Sequence, residues 1–420
     1  MSDNDKLALH GGNKIKTTPY GTGCKHDIDA ICAALRKRIE GQERLPLAMG
    51  ESIKQLRSRM CEIFSCKHAI PVSSGTAAIH AGLAAIGIKP GDEVITTPST
   101  DHGTVIGIMQ LGAIPVFADV DPDTLMIEAH TVEPHITERT RAILPVHFCG
   151  CPTDMTAMMA LANKHNLLVL EDAAQSWLAE WDGRKAGTYG NAGAISFNES
   201  KHVTTGEGGV VLTDDDDVAK YADAFVDKAY NRTGVGPIAP FMPALNLRMS
   251  EINAVLGILQ LDKVQWLADR RYELGQMLAD ATDDLPGIRV NRPKDSKRHK
   301  SSYWHGVIHY DPDQVGVSND KFIEAVAAEG ILCYQSSARC ILDWPLFRKL
   351  NEDPQAFAHY RAPGLTKGMF ELDRCPNATR MAQRTIQVHL WEWHTNEDME
   401  QTAAALRKVS RHFQKQTSAA

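Results

Sequence analysis

Apolar runs of strand length alternate with helical patterns from Ile70 onward, an order that crossovers in a largely parallel sheet require. AIPVSS leads into GTAAIHAGLAAIG, whose alanines and leucine predict a helix stopped at Gly87. The turn KPGDE opens the strand VITTP, and IPVFADV follows after the apolar stretch MQLGA. AILPVHF, a helix over 155–164 and the run LLVLEDA continue the alternation. GAISF and GGVVLTD stand closer together, as an antiparallel pair or a short crossover would.

From Ser250 the period changes. SEINAVLGILQLDKVQWLADRRYELGQMLADA keeps apolar residues at helical spacing throughout, which predicts one long helix able to bridge two domains. A strand over 306–309, a helix over 319–329 and a closing helix over 396–413 follow. This organisation predicts a large α/β domain over 30–255 and a smaller α+β domain over 256–420, with the N-terminal arm 1–29 packing nearby.

Composition narrows the function classes. With 420 residues, 43% apolar and 23% charged, the chain has ample material to bury and resembles neither a disordered nor a fibrous protein. A net charge of -7 and short basic clusters without interleaved aromatics exclude a general nucleic-acid footprint. The nine cysteines are odd in number and scattered, so they read as reduced thiols, and neither Cys149/Cys151 nor Cys61/Cys66 has a second pair at metal-ligand spacing. No apolar run approaches the ~18 residues of a membrane span, and no signal-like segment opens the chain. A cytoplasmic protein with no metal and no membrane partner is expected.

The chemistry concentrates in three places. A strand ending in Ser73 and Ser74, a turn at Gly75 and a helix entered at Thr76 aim N–H groups, a hydroxyl and a helix dipole at one spot, as phosphate binding requires. An ordinary N-cap is the competing reading. With neither G-x-x-x-x-G-K-[ST] nor a G-x-G-x-x-G after the first strand, a nucleoside triphosphate or dinucleotide is not indicated. Asp172 ends the run LLVLED at the carboxyl end of a buried strand, where open α/β sheets bind ligands. A buried carboxylate needs a cationic partner, and a protonated pyridine nitrogen is one; capping of the next helix is the alternative. Lys201 lies between GAISF and the glycine-rich TTGEGGV. A lysine that attacks a carbonyl needs a pocket that lowers its pKa from about 10.4, and a buried strand and tight turn supply one. Phosphate turn, acid and lysine, in this order in one α/β unit, are what a pyridoxal phosphate site requires.

SSGTAA, EDAAQ, the run S-F-x-x-x-K-x-x-T-x-G-E-G-G and the later N-x-R-x-S-E resemble the DegT/DnrJ/StrS-type sugar aminotransferases, which are fold type I pyridoxal phosphate enzymes. With LALHGG and PGDEVI, the likeness runs in chain order over roughly residues 5–410. It implies an aspartate aminotransferase-like fold, with a large, mainly parallel, mixed seven-stranded sheet domain and a smaller α+β C-terminal domain. It also implies a role for each matching residue: Lys201 as the Schiff-base lysine and proton carrier, Asp172 at the pyridine nitrogen, and Gln175 at the ring's phenolic oxygen. Ser74, Gly75, Thr76 and Ser196 would hold the phosphate, joined by Asn246 from a neighbouring subunit, so that a homodimer with shared sites is the functional unit.

The implied activity is ping-pong transfer of an amino group from glutamate or glutamine to a keto-sugar, keto-cyclitol or related polyhydroxy carbonyl compound, in amino-sugar biosynthesis. Whether that acceptor is a nucleotide sugar stays open. A lysine-dependent dehydratase or aromatising synthase on the same scaffold, and a non-catalytic regulatory homologue, are the rivals. Some relatives run as dehydratases with His in place of the lysine, so Lys201 favours transamination. The chain departs from the family where TPSTDHGT places His102, beside Asp101, at the aromatic that covers the cofactor ring, and at Leu247, commonly aromatic. Arg184, Arg248 and His147 are candidates for the donor carboxylate, with surface or interface ion pairing as the alternative. Tyr303, Trp304, His305 and Tyr334 are candidate lining residues, and the loop 232–242 is a candidate acceptor determinant without readable pattern.

Overall fold

A computed structural model describes residues 6–20, 27–40, 50–230, 239–295, 297–336 and 340–417. Seven strands form the larger sheet: β1 (His68–Val72), β2 (Glu93–Thr96), β3 (Ile114–Phe117), β4 (Thr140–Leu144), β5 (Leu168–Asp172), and, after the hairpin β6 (Glu180–Trp181) and β7 (Arg184–Lys185), β8 (Ala192–Ser196) and β9 (Gly209–Thr213). Their order is β1-β9-β8-β5-β4-β2-β3. Only β9 runs against its neighbours, pairing antiparallel with both β1 and β8, while β5 and β8, β4 and β5, β2 and β4, and β2 and β3 pair parallel. The sheet is therefore mixed and mainly parallel, as expected, and the carboxyl ends of β1, β2, β5 and β8 share one edge.

Both faces of this sheet are covered, which is why its strands read as continuous apolar runs. The helix Gly75–Ala85 lies on one face among Val72, Leu170, Ala194 and Val211. Its Gly82 permits that approach: a Cβ there would lie 2.4 Å from Leu170 Cδ1. The other face packs Ile195, Val210 and Leu212 against Trp177, Phe197 and the helices Glu51–Phe64 and Glu251–Leu261.

The long helix expected from Ser250 is instead two, Glu251–Leu261 and Val264–Thr282, broken at Asp262 and Lys263. Leu261 and Val264 on either side of the break enter the same core, so the apolar period survives where the helix does not. The second helix alone passes from this core, with Leu267 and Ala268, to another containing Leu274 and Leu278. There it covers a four-stranded antiparallel sheet ordered β10 (Ile288–Val290), β11 (Gly306–Tyr310), β13 (Thr385–Val388), β12 (Cys333–Gln335). The helices Asn319–Ala328 and Asn396–Thr417 complete that core, and Leu7 of the N-terminal arm is fully buried in it.

The chain between β12 and β13 behaves differently. Ile341, Phe347, Tyr360 and Phe370 pack on Val105, Met109 and Phe117 of the larger sheet's layer. The Tyr360 hydroxyl donates to the Ala113 carbonyl at 3.0 Å. Much of the segment 340–381 thus closes the rim of the larger sheet.

Candidate active site

The shared edge of β1, β2, β5 and β8 assembles the site. Ser74 caps the helix Gly75–Ala85 by accepting the Ala77 N–H at 3.1 Å, so the capping reading holds, and it leaves the remaining first-turn N–H groups facing outward from the sheet edge. A Cβ on Gly75 would stand 2.8 Å from Ser196 Cβ and 3.0 Å from Ser196 Oγ at the end of β8. The helix His102–Met109 starts alongside, where a Cβ on Gly103 would come within 2.7 Å of Thr76 Oγ1. Two helix N-termini and two hydroxyls therefore enclose a cradle kept open by missing side chains, the donor set of an anion site. Asn246 is exposed on the segment next to it: Ser73 N–H donates to the Leu247 carbonyl at 2.7 Å.

Asp172 projects from the end of β5 and is buried. Its Oδ2 accepts the Thr104 hydroxyl at 2.7 Å and its Oδ1 the Ala174 N–H at 3.1 Å. Since the Thr104 proton is committed to Asp172, Thr100 Oγ1, 2.7 Å away, is the donor in their mutual bond. Burial pushes the Asp172 pKa up, and Thr104, Ala174, Lys201 and His147 pull against it. Lys201 follows β8 and is 9% exposed, its Nζ 3.7 Å from the centre of the Trp304 ring. Burial lowers its pKa from the ordinary lysine value, with Asp172, Asp101 and Cys149 opposing.

Gln175 is buried nearby and its Oε1 accepts the Cys149 N–H at 2.8 Å. Its NH2 group is then the end left to donate toward a ligand. A cavity of about 300 Å³ opens beside these groups, lined by Asp101, Gln175, Phe148, Trp304, Tyr334 and Trp344 among others. A larger cavity of about 480 Å³ around Arg289 and Arg384 contains none of this constellation.

The DegT/DnrJ/EryC1/StrS aminotransferase family model matches residues 29–407. The chain belongs to this family. It is 33% identical over 358 residues, 82% of this chain and 85% of the relative, to a putative L-glutamine:3-amino-2,3-dideoxy-scyllo-inosose aminotransferase of Streptoalloteichus tenebrarius. It is 32% identical over 372 residues, 86% of this chain and 90% of the relative, to spore coat polysaccharide biosynthesis protein SpsC of Bacillus subtilis. Among solved structures, the aminotransferase from Psychrobacter cryohalolentis superposes with a TM-score of 0.81 at 26% identity, covering 94% of this chain and 99% of that one. The protein is accordingly a pyridoxal phosphate-dependent aminotransferase, and the open cradle, buried acid and desolvated amine fit that cofactor.

Within this family frame, several sequence candidates lie elsewhere. Arg184 sits on the exposed hairpin, bonded to Thr188 and 3.9 Å from Asp214, so its ion pairing is superficial. His147 is fully buried, accepting the Thr153 N–H at Nδ1 and donating from Nε2 to Glu171 at 3.0 Å, with neither nitrogen left for a donor carboxylate. Arg248 is paired with Asp227. Tyr303 does not line the site: its ring packs against Gly275 in the small-sheet core, where a Cβ would come within 2.4 Å of it. Trp304 and Tyr334 do line the cavity, and His305 stands behind them, 3.4 Å from the Tyr334 hydroxyl.

His102 turns its ring toward Trp344 at 6.1 Å and Phe347 at 6.4 Å, with Nδ1 buried and unbonded. Burial lowers its pKa, keeping the imidazole neutral. Leu247 packs on the larger core. Of the loop 232–242, residues 232–238 lie outside the described residues. Among the described residues no His/Cys/Asp/Glu cluster could hold a metal, and no helix is long and apolar enough to cross a membrane. Sequence reasoning missed Thr100 and Thr104; the hydroxyls one turn apart after TPS were the available signal.

Proposed function

We propose that this aminotransferase takes an amino group from glutamate or glutamine and passes it to a keto-cyclitol or keto-sugar, in a ping-pong cycle of amino-sugar or aminocyclitol biosynthesis. The observation that carries this reading is the convergence of a desolvated lysine, a buried carboxylate and an empty-sided N–H cradle at one sheet edge. The relative from Streptoalloteichus, named for a cyclitol ketone and L-glutamine, supports the acceptor and donor classes.

When bound, pyridoxal phosphate supplies the carbonyl that receives the amine and the ring that accepts electrons from the donor's Cα. We assign its phosphate to Ser74, Gly75, Thr76 and Ser196, its ring nitrogen to Asp172 and its phenolic oxygen to the Gln175 NH2 group. His102 is assigned to the ring's outer face. Lys201, whose pKa burial lowers from the ordinary lysine value, is the group that takes the proton from the donor's Cα and returns one to the acceptor's carbon. Trp304, over the amine, keeps water from it. Thr104 fixes the direction of the Asp172 carboxylate, the group that would meet the ring nitrogen.

The working unit is proposed to be a cytoplasmic homodimer, with Asn246 reaching the phosphate of the partner's site. Exposed Phe241 and Leu245 beside Asn246, and Ile252 on the following helix, are apolar surface that a second copy would cover. The test loads purified enzyme with cofactor, adds glutamate or glutamine, and follows cofactor absorbance and 2-oxo acid release, then return of the spectrum on adding ketones. Wild type should complete both halves. Multiple turnovers by Lys201→Ala would remove that lysine from the mechanism.

A further inference from the structure

His202, next to the lysine, has no part in the chemistry assigned so far, yet it is fully buried. Its Nε2 lies 2.8 Å from the Ser302 carbonyl oxygen, which can only accept, so the imidazole carries a proton on Nε2 and donates it there. On the other side of Lys201 the direction of donation reverses: Trp304 Nε1–H donates to the Ser200 carbonyl at 2.7 Å. The two residues that flank the lysine are thus bonded to residues 302 and 304, across sequence separations of 100 and 104 residues. Between these bonds the Lys201 amine lies 3.7 Å from the centre of the Trp304 ring. The segment 301–304 is itself fastened to the larger domain, by Ser302 N–H to the Gly150 carbonyl and Trp304 N–H to the Cys149 carbonyl. The lysine stands outside β8 and β9, on the connection 197–208 between them. An amine on a flexible four-carbon stem that carries protons between two carbon atoms has to return to one place and be kept from water there. One bond would let the connection pivot about it, whereas two bonds on flanking residues hold it from both sides.

We infer that His202 is a positioning residue for the transamination: with Trp304 it forms a two-point clamp that holds the lysine's backbone against the segment 301–304 and so keeps the indole over the amine. This rests on the aminotransferase reading above, and His202 acts through Lys201. A histidine that only fills the core is replaceable by any side chain of similar volume. The clamp instead requires an N–H where Nε2 stands.

Competitive acetylation of the cofactor-free enzyme across pH, with Lys201 followed by peptide mass spectrometry, reads the titration of the amine directly. Asp172, Asp101 and Cys149, which face Lys201 and oppose the effect of its burial, are unchanged in every variant, so a shift reports water reaching the amine. His202→Leu should raise the inflection by about one unit or more toward the ordinary lysine value, and His202→Gln, whose amide can donate in place of Nε2, should restore it. Trp304→Phe keeps a ring but loses the N–H, and should raise the inflection as well. The double variant should shift by less than the sum of the two, as partners in one clamp do. In the loaded enzyme, His202→Leu should lower kcat of the donor half-reaction by roughly tenfold or more with KM for the donor little changed. An unchanged inflection in His202→Leu, no restoration by His202→Gln, or strictly additive shifts would each overturn the inference. If His202→Leu does not fold, Trp304→Phe decides, and an unchanged inflection there overturns the clamp. Failure of wild type to complete the donor half-reaction would instead count against the aminotransferase reading and leave the acetylation result standing, so the two failures are distinguishable.

Discussion

Lys201 and Asp172 are each pushed toward their neutral form by burial, and each opposes that push on the other. For the lysine the direction matters most. A pKa below the ordinary lysine value of 10.5 raises the neutral fraction at any given pH, so capture of pyridoxal phosphate by the apoenzyme should inflect below 10.5 and slow as pH falls through that inflection. Stopped-flow absorbance against pH checks this, and an inflection at or above the ordinary lysine value would contradict it. Thr104→Val removes the 2.7 Å bond to Asp172, leaving a buried carboxylate short of a donor. Losing about 1.5–3 kcal/mol should weaken cofactor binding by roughly tenfold or more, with Thr104→Ser largely restoring it. The acid and the lysine were legible because a strand must end where chemistry begins. Thr104 was not read, since its one signal is the four-residue spacing from Thr100, and it is the single hydroxyl on the helix HGTVIGIM. Tyr303 was misread for a related reason: sequence shows that an aromatic is present but not which of two cores its ring enters.

At the scale of elements, the link from the small sheet to the site is a backbone contact. The segment 301–304 is held by Ser302 N–H to the Gly150 carbonyl at 2.9 Å, Trp304 N–H to the Cys149 carbonyl at 3.0 Å and Ser301 Oγ to Gly150 at 2.9 Å. Gly150 has φ +91, and a Cβ there would fall 2.5 Å from Tyr303 N. Gly150→Ala should therefore cost about 1–3 kcal/mol from backbone strain alone and loosen Trp304 over the lysine. A lowered Tm together with reduced donor half-reaction rates would show both effects. Strands β1 to β5, β8 and β9 followed the apolar pattern because both sheet faces are covered. The helix break at 262–263 escaped it, because two helices feeding one core can share a continuous period.

Across the whole molecule, one fully buried ion pair ties the parts together. Arg271, on the helix that runs between the two cores, meets Glu392 at 2.7 Å and donates to the Trp304 carbonyl at 3.2 Å. Glu392→Ala would leave Arg271 charged and unpaired, an expected loss of about 3–5 kcal/mol measurable by urea unfolding. At the proposed dimer surface, Leu245→Asp should shift sedimentation toward monomer and weaken cofactor binding together, because Asn246 lies next in the chain. The homodimer was expected from the family resemblance alone; Phe241 at 63% and Leu245 at 55% exposed gain meaning as a candidate surface once the fold places them beside Asn246. The packing of Trp304 on Lys201 has an optical consequence as well. An indole in contact with the amine proposed to anchor the cofactor is placed to hand its excitation to a bound cofactor chromophore, so emission from this one tryptophan should dim on loading and change again when the donor alters the cofactor's colour. The other six tryptophans can be silenced as Phe, leaving a single internal lamp that reports each half of the cycle as it occurs.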